Sequence, residues 1–170
     1  MSQNKVFLAL GSNVGNWKNN FNRCLIELSK ISRLNAIGNI YVTKPYGFKK
    51  QDDFFNTAVR LQTKDTPIQL INKIKLIEKK LHKNKIIKNG PRRIDIDIIF
   101  FNSLKIYYKN LTIPHPRAID RDFVLYPLCD IEPYFHHPIF RNSIKKLKTE
   151  VPSHYIKKKI TQPKGLFVIH

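Results

Sequence analysis

The run Arg92-Arg93-Ile94-Asp95-Ile96-Asp97-Ile98-Ile99-Phe100-Phe101 constrains the fold more tightly than any other part of the chain. A strand sends successive side chains to opposite faces, so Asp95 and Asp97 share one face while Ile94, Ile96 and Ile98 share the other. Two carboxylates held close together on a rigid strand repel each other, and a divalent ion relieves that repulsion. Hard oxygen donors suit Mg²⁺, and a site with only two protein carboxylates keeps positions open for phosphate oxygens. A bare Asp-x-Asp fits a solvated polar strand face equally well, so its setting has to decide.

The surrounding periodicities supply a frame. Val6–Leu10 reads as a strand ending at Gly11-Ser12-Asn13, and helical spacing follows from Asn16 to Lys30 through Phe21, Leu25, Leu28 and Ile31. Ile37–Thr43 and Phe55–Gln62 read as strands. Thr66-Pro67 opens a second helix, with a capping hydroxyl and proline at the first turn, and Leu70, Ile71, Ile74, Ile77 and Leu81 continue it. Leu104–Tyr108 is expected to be the hairpin partner of the Asp-bearing strand. Beyond it, three prolines punctuate an irregular segment with a short helix near Ala118–Asp122, and Arg141–Glu150 is expected to be helical. The order strand–helix–strand–strand–helix–strand implies an α+β fold with a ferredoxin-like βαββαβ core, its mostly antiparallel sheet packed by helices. At 170 residues, one domain spanning 1–170 is expected, with a motif-bearing core over 5–135 and a basic C-terminal extension over 141–170. RNA-recognition modules share this topology, so topology alone names no activity.

The setting of the Asp pair points to a polyphosphate. Gly90-Pro91 turns the chain just before Arg92, whose guanidinium can grip phosphate through two hydrogen bonds. Farther on come His115 and Arg121. No Gly-Lys-Ser/Thr follows Gly11-Ser12-Asn13-Val14-Gly15, so neither a Walker loop nor a dinucleotide fingerprint is present. The formal charge of +19 would suit a polyanion partner, but 23 of the 31 basic residues are scattered lysines without interleaved aromatics. An AT-rich codon bias can produce such a composition, and neither a nucleic-acid partner nor a membrane is expected. No apolar run approaches the roughly 18 residues a spanning helix needs, and two cysteines are too few for a disulfide framework. A reducing cytoplasm is the expected location.

Five segments together resemble the 6-hydroxymethyl-7,8-dihydropterin pyrophosphokinases of folate synthesis: Ala9–Asn13, Phe54–Val59, Gly90–Ile98, Leu111–Pro116 and Arg121–Leu128. They follow the family's order at close to its spacing. The resemblance implies an ATP-dependent transferase that moves diphosphate from ATP to the pterin hydroxymethyl group and releases AMP, acting as a Mg²⁺-dependent monomer on small-molecule substrates. It implies that Asp95 and Asp97 hold two Mg²⁺ ions and, with Arg92, form the catalytic group. It also implies ATP contacts from Lys83, Lys85, Arg92, Ile98, Thr112, His115 and Arg121. The pterin would lie between Phe54 and Phe123, with Thr43, Lys44, Tyr46 and Asn56 around its edge. Glu78 matches a glutamate of the family near the nucleotide side, where a structural role is as plausible. Asn89, where the family commonly has tryptophan, and lysines at 83 and 85, where it has arginines, put the closure of that loop in question.

Overall fold

The computed structural model describes residues 2–82 and 90–162. In chain order its elements are β1 (Asn4–Ser12), α1 (Trp17–Ser29), β2 (Arg33–Ile37), β3 (Ile40–Thr43), β4 (Phe54–Thr63), α2 (Pro67–Leu81), β5 (Asp95–Phe101), β6 (Ile106–Tyr108), β7 (Leu111–Ile113), α3 (Asp122–Ile131), α4 (Ile144–Glu150) and β8 (Ile156–Ile160). The main sheet runs β5-β1-β4-β3-β8, with β2 also pairing β4, and every pairing in it is antiparallel. The ferredoxin-like core is therefore present, with its second strand interrupted at Gly38-Asn39 and an added edge strand, β8.

Alternation along the strands builds two cores. Val6, Leu8 and Leu10 of β1 and Ile96 and Ile98 of β5 face α1 and α2, meeting Phe21, Cys24, Leu28, Leu70, Ile74 and Ile77. The opposite face gathers Phe7, Ala58, Ile99 and Phe100 with Val124, Leu125 and Leu128 of α3 and Ile144 and Leu147 of α4. A bulge makes Ile99 and Phe100 share this second face. The β1–β5 register shifts between Phe7 and Leu8, so that Phe7 opposes Phe100 while Leu8 opposes Ile98. Asp95 and Asp97 thus point to the α3 side, away from the α1/α2 core.

The ends of α2 follow from its sequence. Thr66 caps it, and Thr66 and Gln69 exchange side-chain-to-backbone hydrogen bonds in a capping box, with Pro67 at the first turn. Two expectations need correction. Leu104–Tyr108 contributes β6, which pairs with β7 in a separate two-stranded sheet and does not pair with β5. The short helix expected near Ala118–Asp122 is a single turn at Ala118–Asp120, and the segment read as irregular also contains a ten-residue helix, α3, with Pro127 inside it. The helix expected over Arg141–Glu150 is α4, and beyond it β8 pairs with β3.

Candidate active site

One row of the main sheet carries Asn56 on β4, Gly11 on β1 and Asp95 on β5, directly opposite one another. The next row carries Ala58, Ala9 and Asp97. Adjacent strands lie about 4.8 Å apart, so Asn56 and Asp95 stand roughly 10 Å from each other, with only glycine and alanine between them. Those small residues leave the floor of a cavity. A Cβ on Gly11 would sit 3.1 Å from Asn56 Oδ1 and 3.8 Å from the Phe54 ring.

The cavity holds about 710 Å³ of space up to and including its open mouth. Thr43, Lys44, Tyr46, Phe54 and Asn56 supply its aromatic and amide lining, Arg92, Asp95 and Asp97 its charged lining, and Arg121, Phe123 and Val124 the wall from the start of α3. Asn56 donates through Nδ2 to Thr43 Oγ1 at 2.8 Å, which fixes its amide and leaves Oδ1 toward Gly11. Asn13 clasps two loops. It accepts from Arg92 N at 2.9 Å, donates its own N–H to Arg92 O at 3.1 Å, and donates through Nδ2 to Gln51 Oε1 and Asp52 O at 3.0 Å each.

Charge in the site is only partly balanced. Arg92 Nη1 lies 3.0 Å from Asp95 Oδ1. Asp97 makes no hydrogen bond among the described residues, and burial, then the Asp95 charge, hold its carboxyl well above the usual range against the pull of Arg121 and Arg92. Glu78 is pushed up to about 7, by burial first, while its bond from Ile96 N (2.9 Å) opposes the shift and Asp95 and Asp97 add to it. Arg121 lies with its guanidinium carbon 4.7 Å from the Tyr46 ring centre and 5.7 Å from that of Phe123. Its Nε is buried and finds no acceptor. A buried cationic donor without a partner costs free energy unless a ligand supplies the acceptor. His115 lies beside this group, its N–H on Ile99 O at 3.0 Å. Burial, then the Arg121 charge, push it down to about 4, so the ring is neutral at pH 7. Its Nδ1 accepts from Arg117 N at 3.2 Å, which leaves the proton on Nε2 as a donor.

Residues 7–133 match the sequence model of 7,8-dihydro-6-hydroxymethylpterin-pyrophosphokinase. The chain belongs to this pyrophosphokinase family. The 2-amino-4-hydroxy-6-hydroxymethyldihydropteridine pyrophosphokinase of Aquifex aeolicus is 39% identical over 145 residues, covering 85% of this chain and 91% of that protein. A folic acid synthesis protein of Dictyostelium discoideum is also 39% identical, over 150 residues, but this chain spans only 23% of its length. Among solved structures, the wild-type HPPK-DHPS of Plasmodium falciparum superposes with a TM-score of 0.75 at 18% identity, over 88% of this chain and 45% of that one, a likeness of fold.

Of the residues singled out from the sequence of this pyrophosphokinase, the cavity gathers Arg92, Asp95, Asp97 and Arg121 together with Thr43, Lys44, Tyr46, Phe54, Asn56 and Phe123. His115 stands beside it, and half-buried Thr112 lies on β7. Ile98 turns its side chain into the α1/α2 core, leaving only its backbone for a ligand. Lys83, Lys85 and Asn89 lie outside the described residues. Asn13 and Asp122 fall within the segments that carry the resemblance but have no role assigned from the sequence, and Tyr155 lies outside those segments. Most of their partners lie dozens of residues away, so the sequence alone does not show what they hold.

Two carboxylates are the whole acidic lining of the cavity, and no group of three or more potential metal ligands occurs among the described residues. That donor set fits a Mg²⁺ whose remaining ligands are water and phosphate, the usual arrangement for this ion in phosphoryl-transfer sites.

Proposed function

We propose that this cavity transfers diphosphate from ATP to the hydroxymethyl group of 6-hydroxymethyl-7,8-dihydropterin and releases AMP. The observation that carries the reading is the joining, in one cavity, of a flat aromatic and amide subsite with a charged arginine and carboxylate subsite about 10 Å away across the sheet. A pterin is planar and rich in donors and acceptors. Phe54 and Phe123 offer ring faces, while Asn56 and Thr43 offer a fixed amide and hydroxyl at its edge.

In this reading Arg92 and Arg121 bind the phosphates, and Arg121 Nε finds there the acceptor it lacks in the protein. Neutral His115 donates through Nε2 without adding charge. Asp95 and Asp97 would hold two Mg²⁺ ions, which when bound supply charge neutralisation and keep attacking and leaving oxygens in line. The pterin hydroxyl oxygen forms a bond to the β-phosphorus as the bond from that phosphorus to the α,β-bridging oxygen breaks. AMP carries away that oxygen, and the hydroxyl proton passes to solvent or to a carboxylate of the Asp pair. Positioning by the rigid sheet and the aromatic walls supplies most of the rate.

The reading includes action as a single-domain monomer over 1–170 on small-molecule substrates, without nucleic acid or membrane. No helix among the described residues is long and apolar enough to cross a membrane. The two unbridged cysteines suit a reducing compartment, and the reading places the protein in the cytoplasm. The test is AMP formation from ATP, Mg²⁺ and the hydroxymethyl-dihydropterin. Asp95→Asn or Asp97→Asn should abolish turnover in a folded protein. Turnover that survives both substitutions would overturn the assignment of the Asp pair.

A further inference from the structure

The C-terminal segment 153–157 lies beyond the family match, which ends at residue 133, yet it is tied to both walls of the cavity. Asp122, buried at the start of α3, is the anchor. Its Oδ2 accepts from Tyr155 N at 2.7 Å and Ile156 N at 3.0 Å, and its Oδ1 accepts from Phe123 N at 2.8 Å. Asp122 N in turn donates to Ser153 Oγ at 2.9 Å. On the other wall, Lys44 N donates to Tyr155 O at 2.9 Å, and Lys157 Nζ pairs with Asp53 at 2.6 Å, next to Phe54. The Tyr155 ring meets Phe123 edge-on at 5.8 Å and 87°, and Tyr46 at 5.7 Å and 65°. Tyr155 is not itself in the cavity lining.

We propose that Tyr155 is a positioning residue for the pterin subsite, holding the rings of Phe123 and Tyr46 at the spacing that a flat substrate enters. The proposal rests on reading the cavity as the pterin site. Phe123 lines the cavity and packs against the second core, with Arg121 over its ring, and Tyr155 meets it edge-on from outside the lining. The main chain of Tyr155 is locked on both sides by Asp122 and Lys44. The contact is an edge-to-face one between aromatic groups, so the ring matters and the hydroxyl does not. Arg121 also stacks on these two rings, whereas Arg92 is held through Asp95 and Gly90 O, so a change at Tyr155 falls mainly on the pterin side.

The experiment is calorimetric titration with a non-hydrolysable ATP analogue and Mg²⁺, followed by the pterin, on the full chain. Tyr155→Ala should weaken pterin binding roughly tenfold while ATP-analogue binding changes less than about twofold, and the pterin KM should rise more than kcat falls. Tyr155→Phe should behave as wild type. Tyr155→Leu, which keeps apolar bulk ahead of β8 but lacks a planar ring, should follow the alanine variant. Near-wild-type pterin affinity in the leucine variant overturns the proposal. So does a parallel loss of pterin and nucleotide binding with early melting, because that marks a purely structural role. Phe123→Ala serves as the reference. If it leaves pterin affinity unchanged, the pterin reading of the cavity itself falls, whereas loss there with none at Tyr155 sinks only the positioning role.

Discussion

Replacing Asp97 by asparagine should stabilise the metal-free protein at pH 8. Asp95 and Asp97 are two residues apart on one face of β5, about 6.7 Å along the strand. Two unit charges at that separation repel by roughly 2.5 kcal/mol at an effective dielectric of 20. Arg92, 3.0 Å from Asp95, cancels part of this, and Arg121 opposes the rest. A net gain of about 1 to 2 kcal/mol for Asp97→Asn follows, or a rise of roughly 2 to 8 °C in Tm for a domain of this size. The pH dependence has a definite sign. The folded-state pKa of Asp97 is raised, so the native state holds the proton more tightly than the unfolded chain. Wild-type stability therefore falls as pH rises from the ordinary carboxylate range through the raised value, and the asparagine variant loses that share of the slope. Urea melts in EDTA between pH 4.5 and 8 would show the variant's advantage growing with pH at constant m. A variant less stable than wild type at pH 8, or an advantage independent of pH, would refute the reasoning. Asp97 would then be a structural residue with a hydrogen-bonding role.

Gly38→Ala should cost roughly 2 kcal/mol in urea melts. Its Cβ would lie 2.7 Å from the Pro127 carbonyl oxygen, and Gly38 cannot retreat because its N–H and C=O are bonded to Ala58 and Thr57. His137 is buried, and that burial pushes it down to about 4, while its Nδ1 accepts from Ile139 N and Phe140 N. A depressed histidine contributes stability above its unfolded value near 6.5 and loses it as pH falls toward 4, so a drop of about 1 to 2 kcal/mol between pH 7.5 and 5 is expected from this residue. His137→Asn, whose side-chain oxygen can take the same two N–H groups, should flatten that limb, and an unchanged slope would assign it elsewhere. Arg121→Lys keeps the charge but loses the planar stack on Tyr46 and the buried Nε donor, so the KM for ATP should rise about tenfold with little change in Tm. Equal KM values would show that charge alone suffices.

The elements legible in the sequence are those with a clean period. In α2 the apolar positions, the Thr66 cap and Pro67 agree, and the helix begins and ends within a residue of its expected limits. By contrast, α3 is apolar nearly all round and contains Pro127, which removes a backbone donor and reads as a breaker. Its packing against the sheet through Val124, Leu125 and Leu128 offsets that lost bond. In β8 the sequence Ile-Lys-Lys-Lys-Ile hides a strand, because an edge strand exposes its middle and needs no apolar alternation. The β6 pairing was misassigned for a related reason: β5 already has β1 on one side, and its other edge is taken up by Glu78 at Ile96 and by His115 at Ile99.

The residues that gather in the cavity are legible in the sequence by their type, and the contrast between arginine and lysine explains why. Lysine outnumbers arginine 23 to 8, yet the described cavity lining contains two arginines and one lysine. Where only positive charge or solubility is needed, an ammonium on a flexible stem suffices, and the exposed lysines of β8 and α4 sit in such places. Arg121 lies across Tyr46, and Arg92 reaches both Gly90 O and Asp95, contacts that require a planar, multi-donor head. Side-chain chemistry of that kind is visible in a sequence because the residue type itself carries the constraint. What holds those groups in place is ordinary by type: a glycine and an alanine on the cavity floor, an asparagine clasping two loops, and an aspartate binding four backbone and hydroxyl groups. Such residues acquire their roles only from the topology that makes β1 the shared neighbour of β4 and β5. The arginines and aspartates therefore suggest the proposed chemistry, and the small residues of β1 determine that there is room for it.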